Sequence, residues 1–291
     1  MRGLSVLLCM VFSWPHTGRC DAGETTLTRS DPAAITGGYS PAPHAGKPVK
    51  KQRPRRIRKR RPRCSGYASP KYRRMVRNWQ KPPKIRKPRY RDGFRDLTLL
   101  AVNFGERLRV FPFLSDGGLD VDVLAEIRHL MRDKHTGEEH DIHPRLVKLL
   151  YRLATRFDAR QINVISGYRA SPDSGSESNH GKGRAVDFMI PGVPLAAVAR
   201  EARKLGHVGV GFYPSSGFVH LDVRDHGPSY FWVDRSGPGL GPCTRRMLSS
   251  MASKMDRKWT PGKDEPEPER NRKGELLGAT QKEPPENSEG G

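Results

Sequence analysis

The positive charge of this chain is confined to one stretch, and that confinement limits how much of it can fold. Its 291 residues include 53 Lys and Arg against 31 Asp and Glu, a formal net charge of +22. Residues 47–95 hold 22 of the basic residues and a single acid, Asp92. The 31 basic residues elsewhere face 30 acidic ones. The chain therefore reads as a nearly neutral body with a very basic arm, not as a protein that is basic throughout, such as a ribosomal or histone-like one. No long apolar run follows the N-terminus, which argues against a multi-span membrane protein. A hydrophobic content of 35% is low for a wholly globular chain and leaves room for disordered ends.

The segments follow from composition. Arg2 and the apolar residues 4–14 have the layout of an export signal, with cleavage expected between Thr17 and Gly23. Cys20 stands in a poor lipoprotein context. Residues 1–22 are thus read as signal and 23–46, rich in Thr, Ser, Pro and Gly, as linker. In the basic arm, 47–93, prolines oppose helix and like charges repel, so an extended form is expected. A folded domain is expected over 94–260, with its core at 94–235, and a Pro- and Glu-rich disordered tail over 261–291.

Within 94–235 the hydrophobic periodicity changes from element to element. Residues 96–103 and 106–111 read as two short strands turning at Gly105. Val121, Leu124, Ile127, Leu130 and Met131 recur at helical spacing, as do Leu146, Leu149, Leu150 and Leu153 behind Pro144. Strands are expected at 161–165, 184–190, 208–213, 218–223 and 229–233, with an Ala-rich helix over 194–205. Without regular βαβ alternation, the class is α+β: a small, mostly antiparallel sheet with flanking helices.

Four cysteines occur. Cys9 and Cys20 belong to the signal region, and Cys64 and Cys243 bracket the folded part. In an exported protein the latter two are a candidate disulfide, closing a loop whose entropy is worth on the order of 4 kcal/mol. Two unpaired thiols are the alternative.

The chemistry concentrates in Ser178-Asn-His180-Gly-Lys-Gly183-Arg-Ala185-Val-Asp187 and Gly217-Phe-Val-His220-Leu-Asp222. A Gly-flanked loop can bend an imidazole back beside a carboxylate on the strand that follows. With His220 on a separate strand, two imidazoles and a carboxylate form a three-ligand set, and a catalytic zinc keeps its fourth position open. Asp222 lies two residues beyond His220 and so faces the same side of a strand. It is a candidate general base, or else it orients a ligand from behind. By itself a His-x6-Asp spacing is a weak pattern, because lone histidines are more often structural.

The wider motif carries more. Ser-x-His-x-x-Gly-x-Ala-x-Asp followed by Gly-Phe-Val-His-x-Asp resembles the zinc metallopeptidases of the D-alanyl-D-alanine carboxypeptidase and hedgehog-like fold, nearest to the murein endopeptidase K-like branch. Ile165-Ser-Gly-Tyr-Arg169, Gly209-Val-Gly-Phe-Tyr-Pro214 and Asp141-Ile-His-Pro-Arg-Leu-Val147 support it. The resemblance covers residues 94–235. It implies an exported peptidase with one zinc ion, acting on peptidoglycan, with His180, Asp187 and His220 as ligands. It also implies a cleft-facing Arg169, to grip a substrate carboxylate or to form a structural salt bridge, and a Ser178 that binds substrate or shapes the loop.

The chain departs from that pattern in two ways. Only residues 170–177 separate the Ser-Gly-Tyr-Arg turn from the metal motif, where the branch carries a longer insert. The stretch 213–219 lacks the acid and histidine that related carboxypeptidases place upstream of the last ligand, so the base assignment falls to Asp222. His226 reads as a surface histidine. The leading expectation is a monomeric zinc peptidase of the bacterial periplasm or envelope, cutting peptidoglycan stems or cross-links. A non-catalytic metal- and wall-binding module of the same fold is the rival. For the arm, docking to anionic envelope polymer or lipid head groups is favoured over a solvated spacer, and nucleic acid is disfavoured by the export signal.

Overall fold

A computed structural model of the protein describes residues 68–170, 178–225, 227–238 and 243–279. The chain divides into two units, Met1–Arg58 and Lys59–Gly291, and the described residues all belong to the second. The signal and linker readings, residues 47–67 of the arm, Cys64 and His226 lie outside the described residues.

Helix α1 (Pro70–Trp79) opens the described part, with Pro70 at its first position and the Ser69 hydroxyl accepting from Tyr72 N–H. The short pair β1 (Tyr90–Arg91) and β2 (Phe94–Arg95) follows, then the hairpin β3 (Leu97–Ala101) and β4 (Glu106–Val110). Helix α2 (Val121–Leu130) is capped by Asp120, whose carboxylate accepts from the N–H groups of Asp122 and Val123. Helix α3 (Pro144–Arg156) buries Leu146, Leu149, Leu150 and Leu153 completely or nearly so. Each such leucine contributes about 1.5–3 kcal/mol on leaving water. Then come β5 (Ile162–Ser166), β6 (Ala185–Met189), α4 (Leu195–Ala202), β7 (Val208–Tyr213), β8 (Phe218–Val223), β9 (Tyr230–Asp234), β10 (Thr244–Met247) and α5 (Ser249–Lys258).

Among the described residues, eight strands form one sheet in the order β10-β9-β7-β8-β6-β5-β3-β4. Neighbours are antiparallel except β3 with β5 and β7 with β9. The sheet is thus mixed, mostly antiparallel, and flanked by helices. Its central strands alternate by residue: Val219, Leu221 and Val223 of β8, Val208 and Val210 of β7, and Val186 and Phe188 of β6 are fully buried. That face meets α3 and α4 in the core. Alternation sends His220 and Asp222 of β8, Asp187 of β6, and Gly209 and Gly211 of β7 to the opposite face.

Order extends beyond the expected body at both ends. Residues 68–93, read as arm, hold α1 and β1; Tyr72, Val76 and Trp79 recur at helical spacing among the cations, and Val76 is buried. The carbonyl of Trp79 accepts from Asn163 Nδ2 at 3.0 Å, and that of Gln80 from Gly192 N–H at 2.9 Å. At the other end, residues 264–278 return to the body. Asp264 bonds Arg145 and Trp259, and Leu277 and Gly278 accept from the N–H groups of Gly93 and Asp92. Composition suggested disorder at both places; long-range contacts supply the order instead. Cys243 is disulfide-bonded.

Candidate metal centre

The site is a transverse row across five strands. Backbone pairing sets Ser166 opposite Asp187, Asp187 opposite His220, His220 opposite Gly211, and Gly211 opposite Trp232. The row lies on the face away from α3 and α4. Asp222 occupies the next rung, opposite Ala185 and Gly209.

His180 reaches this row from a loop. Ser178 Oγ accepts from His180 N–H at 3.3 Å, and the N–H of Arg184 closes the loop on Asn179 C=O at 2.8 Å. Gly183 sits at φ +62°, and a Cβ there would fall 1.9 Å from the Asp141 carbonyl, so no other residue fits this bend. His180 Nδ1 lies 2.6 Å from Gly167 C=O. A carbonyl only accepts, so Nδ1 carries the proton and the Nε2 lone pair points into the site.

Three donor atoms converge. His180 Nε2 is 3.2 Å from His220 Nδ1, which is 2.8 Å from Asp187 Oδ1; His180 Nε2 and Asp187 Oδ1 are 3.5 Å apart. Tetrahedral zinc with bonds of about 2.0–2.1 Å sets its ligand atoms about 3.3 Å apart. The observed triangle brackets that value, and all three residues are buried. Two nitrogens and one oxygen with a fourth direction left over are the donor set of a catalytic zinc centre, so the residues fit the ion.

Two further groups hold the ligands. Asp222, only 1% exposed, accepts from His220 Nε2 at 3.1 Å, on the side of the ring opposite the ligand nitrogen. Arg224 Nε donates to the other Asp222 oxygen at 2.9 Å. Arg169 donates through Nη2 to Asp187 Oδ2 and through Nε to Ser166 Oγ at 2.9 Å, which leaves Asp187 Oδ1 for the site. Gly209 makes Asp222 possible: a Cβ at 209 would lie 1.9 Å from Asp222 Oδ2.

The electrostatics follow the geometry. Burial alone would raise the Asp187 carboxyl; the His180 and His220 imidazoles and the Arg169 guanidinium outweigh it and hold the group well below the usual carboxylate range. Burial opposes ionisation of Asp222 too, but His220 and Arg224 lower it. Burial lowers His180 against the pull of Asp187. For His220, burial acts downward, but hydrogen bonds to Asp187 and Asp222 push it up to about 9.

Of the residues singled out in the sequence, His180, Asp187 and His220 lie together. Asp222 stands behind His220 rather than beside the donor triangle. Arg169 is engaged with Asp187, and Ser178 with the loop backbone. Among the described residues, aromatic side chains border the centre without having been anticipated. Trp232 has its ring 5.1 Å from that of His220, and its Nε1 donates to the Tyr213 hydroxyl at 3.0 Å. Tyr72 of α1 lies near enough for the Asp187 charge to raise its phenol, after burial as the larger cause. Tyr213 lies inside a motif segment; Trp232 carried no sequence signal.

The family model for peptidoglycan L,D-endopeptidase MepK matches residues 89–232, a span that contains the whole row. The probable peptidoglycan L,D-endopeptidase MepK of Haemophilus influenzae is 37% identical over 150 residues, 47% of this chain and 78% of that protein. The peptidoglycan L,D-endopeptidase MepK of Escherichia coli strain K12 is 35% identical over 150 residues, 47% of this chain and 80% of that protein. No solved structure matches. With motifs, fold and relatives in agreement, the chain belongs to the MepK family of peptidases.

Proposed function

We propose that the protein is an exported, zinc-dependent peptidase that hydrolyses peptide bonds in the stems or cross-links of peptidoglycan, the L,D-endopeptidase activity in its relatives' names being the first to try. The observation that carries this reading is the triangle of His180 Nε2, His220 Nδ1 and Asp187 Oδ1. Zinc held there supplies Lewis acidity toward a peptide carbonyl and an acidified water, so no nucleophilic side chain is needed.

His180, Asp187 and His220 are the ligands in this reading. Asp222 is a positioning residue: its carboxylate fixes the His220 ring and keeps the Nε2 proton away from the ligand side, a role its location supports better than that of general base. Arg169 holds the second Asp187 oxygen, and its side chain is 39% exposed. Trp232, joined to Tyr213 by its Nε1 hydrogen bond, borders the site beside His220. Export to the envelope, the Cys64–Cys243 pairing and docking of the basic arm to anionic polymer or lipid head groups belong to the same reading.

The test is digestion of purified muropeptides by the full mature chain, with and without chelator, read by mass spectrometry. Cleavage of a defined peptide bond that stops with chelator and in His180→Ala is the expected result. Chelator-insensitive cleavage would overturn the zinc mechanism. One bound metal without cleavage of any muropeptide would favour the non-catalytic binding module.

A further inference from the structure

We propose that helix α1 and the turn between β7 and β8 form a subsite for a carboxylate of the peptide substrate, with Arg73 and Arg77 as its cations. This rests on the peptidase reading for the nature of the ligand. A pocket of about 270 Å³ lies between the helix and the turn, lined by Arg73, Val76, Arg77 and Gln80 on one side and Pro214 and Ser215 on the other. Arg73 and Arg77 are one helical turn apart, so their side chains leave the helix on the same side. Both are exposed, and neither forms an ion pair among the described residues. Residues 68–91 contain no acid at all, so nothing local competes for these guanidiniums. A planar carboxylate suits a guanidinium's paired donors.

The pocket is built in advance rather than swept out by a loose arm. The Tyr72 hydroxyl donates to Ser216 C=O at 2.9 Å, tying the helix to the turn itself. Val76 packs against Gly217 so closely that a Cβ at 217 would fall 2.3 Å from its Cγ1. The hydrogen bonds that Trp79 and Gln80 accept fix the end of the helix to β5 and to the turn after β6. Pre-ordering of this kind reduces the entropy lost on binding.

Position connects the pocket to the metal centre. The turn leads straight into β8, where His220 is two residues beyond Phe218, about 7 Å along the strand. An extended peptide advances about 3.3–3.6 Å per residue. A carboxylate in the pocket therefore belongs to a substrate residue only a few positions from the bond at the donor triangle. Arg169, the other candidate for such a group, already donates to Asp187. The cationic wall also precedes residues 89–232, the span the family model matches, so the subsite would be a specificity device of this chain's own extension.

The experiment compares the full metal-loaded chain with Arg73→Gln/Arg77→Gln, at one ionic strength. Calorimetric titration uses two probes, an acidic stem peptide and the same peptide with its free carboxylates converted to carboxamides. Mass spectrometry checks the peptides afterwards, and if they are cut, the preference is read from the two KM values instead. Wild type should bind the acid at least tenfold more tightly than the amide. The double variant should lose that preference while binding the amide as before, which also reports that it is folded. Arg55→Gln/Arg56→Gln, in the distal arm, should keep it. Equal affinities for acid and amide in wild type, loss of the preference in the distal variant instead, or inorganic phosphate displacing the acid peptide at equal concentration would each overturn the subsite. Failure of wild type to cleave any muropeptide would sink the peptidase reading alone, because the binding preference is measured without turnover.

Discussion

Asp222→Asn separates the two roles open to this carboxylate. The side chain is 1% exposed and accepts from His220 Nε2 and from Arg224. The amide keeps its volume and one acceptor oxygen but removes the charge behind the imidazole. A ligand histidine that loses its supporting carboxylate typically binds metal 10–100-fold more weakly, about 1.4–2.7 kcal/mol. The same change removes one of the two carboxylates that raise His220, so its proton is held less tightly in the metal-free chain. The assay is a zinc titration against a competing chromophoric chelator, followed by kcat at saturating zinc on a muropeptide. A positioning residue predicts most of the loss in zinc affinity and a smaller loss in saturated kcat. A general base predicts the reverse, a kcat loss of about 10²–10⁴-fold with affinity intact. Unchanged zinc affinity, within twofold, together with a kcat loss beyond a hundredfold would refute the positioning argument.

Two further expectations rest on the same row. Gly209→Ala places a Cβ 1.9 Å from Asp222 Oδ2 and 2.5 Å from its Cγ; about 1–3 kcal/mol of stability should be lost, with zinc affinity falling at least as far as in Asp222→Asn, measured by thermal melting and the same titration. The pH dependence follows from His220, whose pKa is raised to about 9 in the metal-free chain, above the unfolded value of about 6.5. Its contribution to metal-free stability is therefore complete below pH 6.5 and lost as pH rises through about 9. Zinc competes with that proton, so apparent zinc affinity should rise about tenfold per pH unit across the same window. Calorimetry near pH 7.5 in buffers of different ionisation enthalpy should find about one proton released per zinc; release of none would refute the assignment.

The centre of this fold is legible in the sequence where periodicity and motif coincide. Val219, Leu221 and Val223 alternate with His220 and Asp222, so strand geometry alone assigns the apolar set to the core and the polar set to one face. The stripe of Leu146, Leu149, Leu150 and Leu153 is equally plain. His180 and Asp187 are legible through their motif, whose glycines permit the bend but do not by themselves require the loop imidazole to close on the strand carboxylate. Other features depend on partners distant in sequence. Tyr72, Val76 and Trp79 have helical spacing, but the surrounding prolines and cations argued for an extended arm. Only contacts with Ser216, Gly217 and Asn163 make that segment part of the domain. Trp232 meets His220 because β9 pairs in parallel with β7, a crossover that no local signal encodes.

The polar row explains why buried charge persists in so small a domain. Asp187 and Asp222 are ionised and almost fully enclosed, which is unfavourable unless each is paired and hydrogen-bonded. In the metal-free chain the cations that face them are Arg169, Arg224 and a protonated His220. The first two stand outside the donor triangle and stay in place when it is filled. The His220 proton on Nδ1 is different, because it occupies the ligand nitrogen that faces Asp187, while Nε2 faces Asp222. Replacing it with a divalent cation keeps both acids paired while restoring the imidazole lone pair. The arrangement that stabilises the metal-free row is thus the one that prepares it for an ion. Replacing the row with apolar residues of equal volume should leave the fold no less stable, and would remove the reason for Gly209.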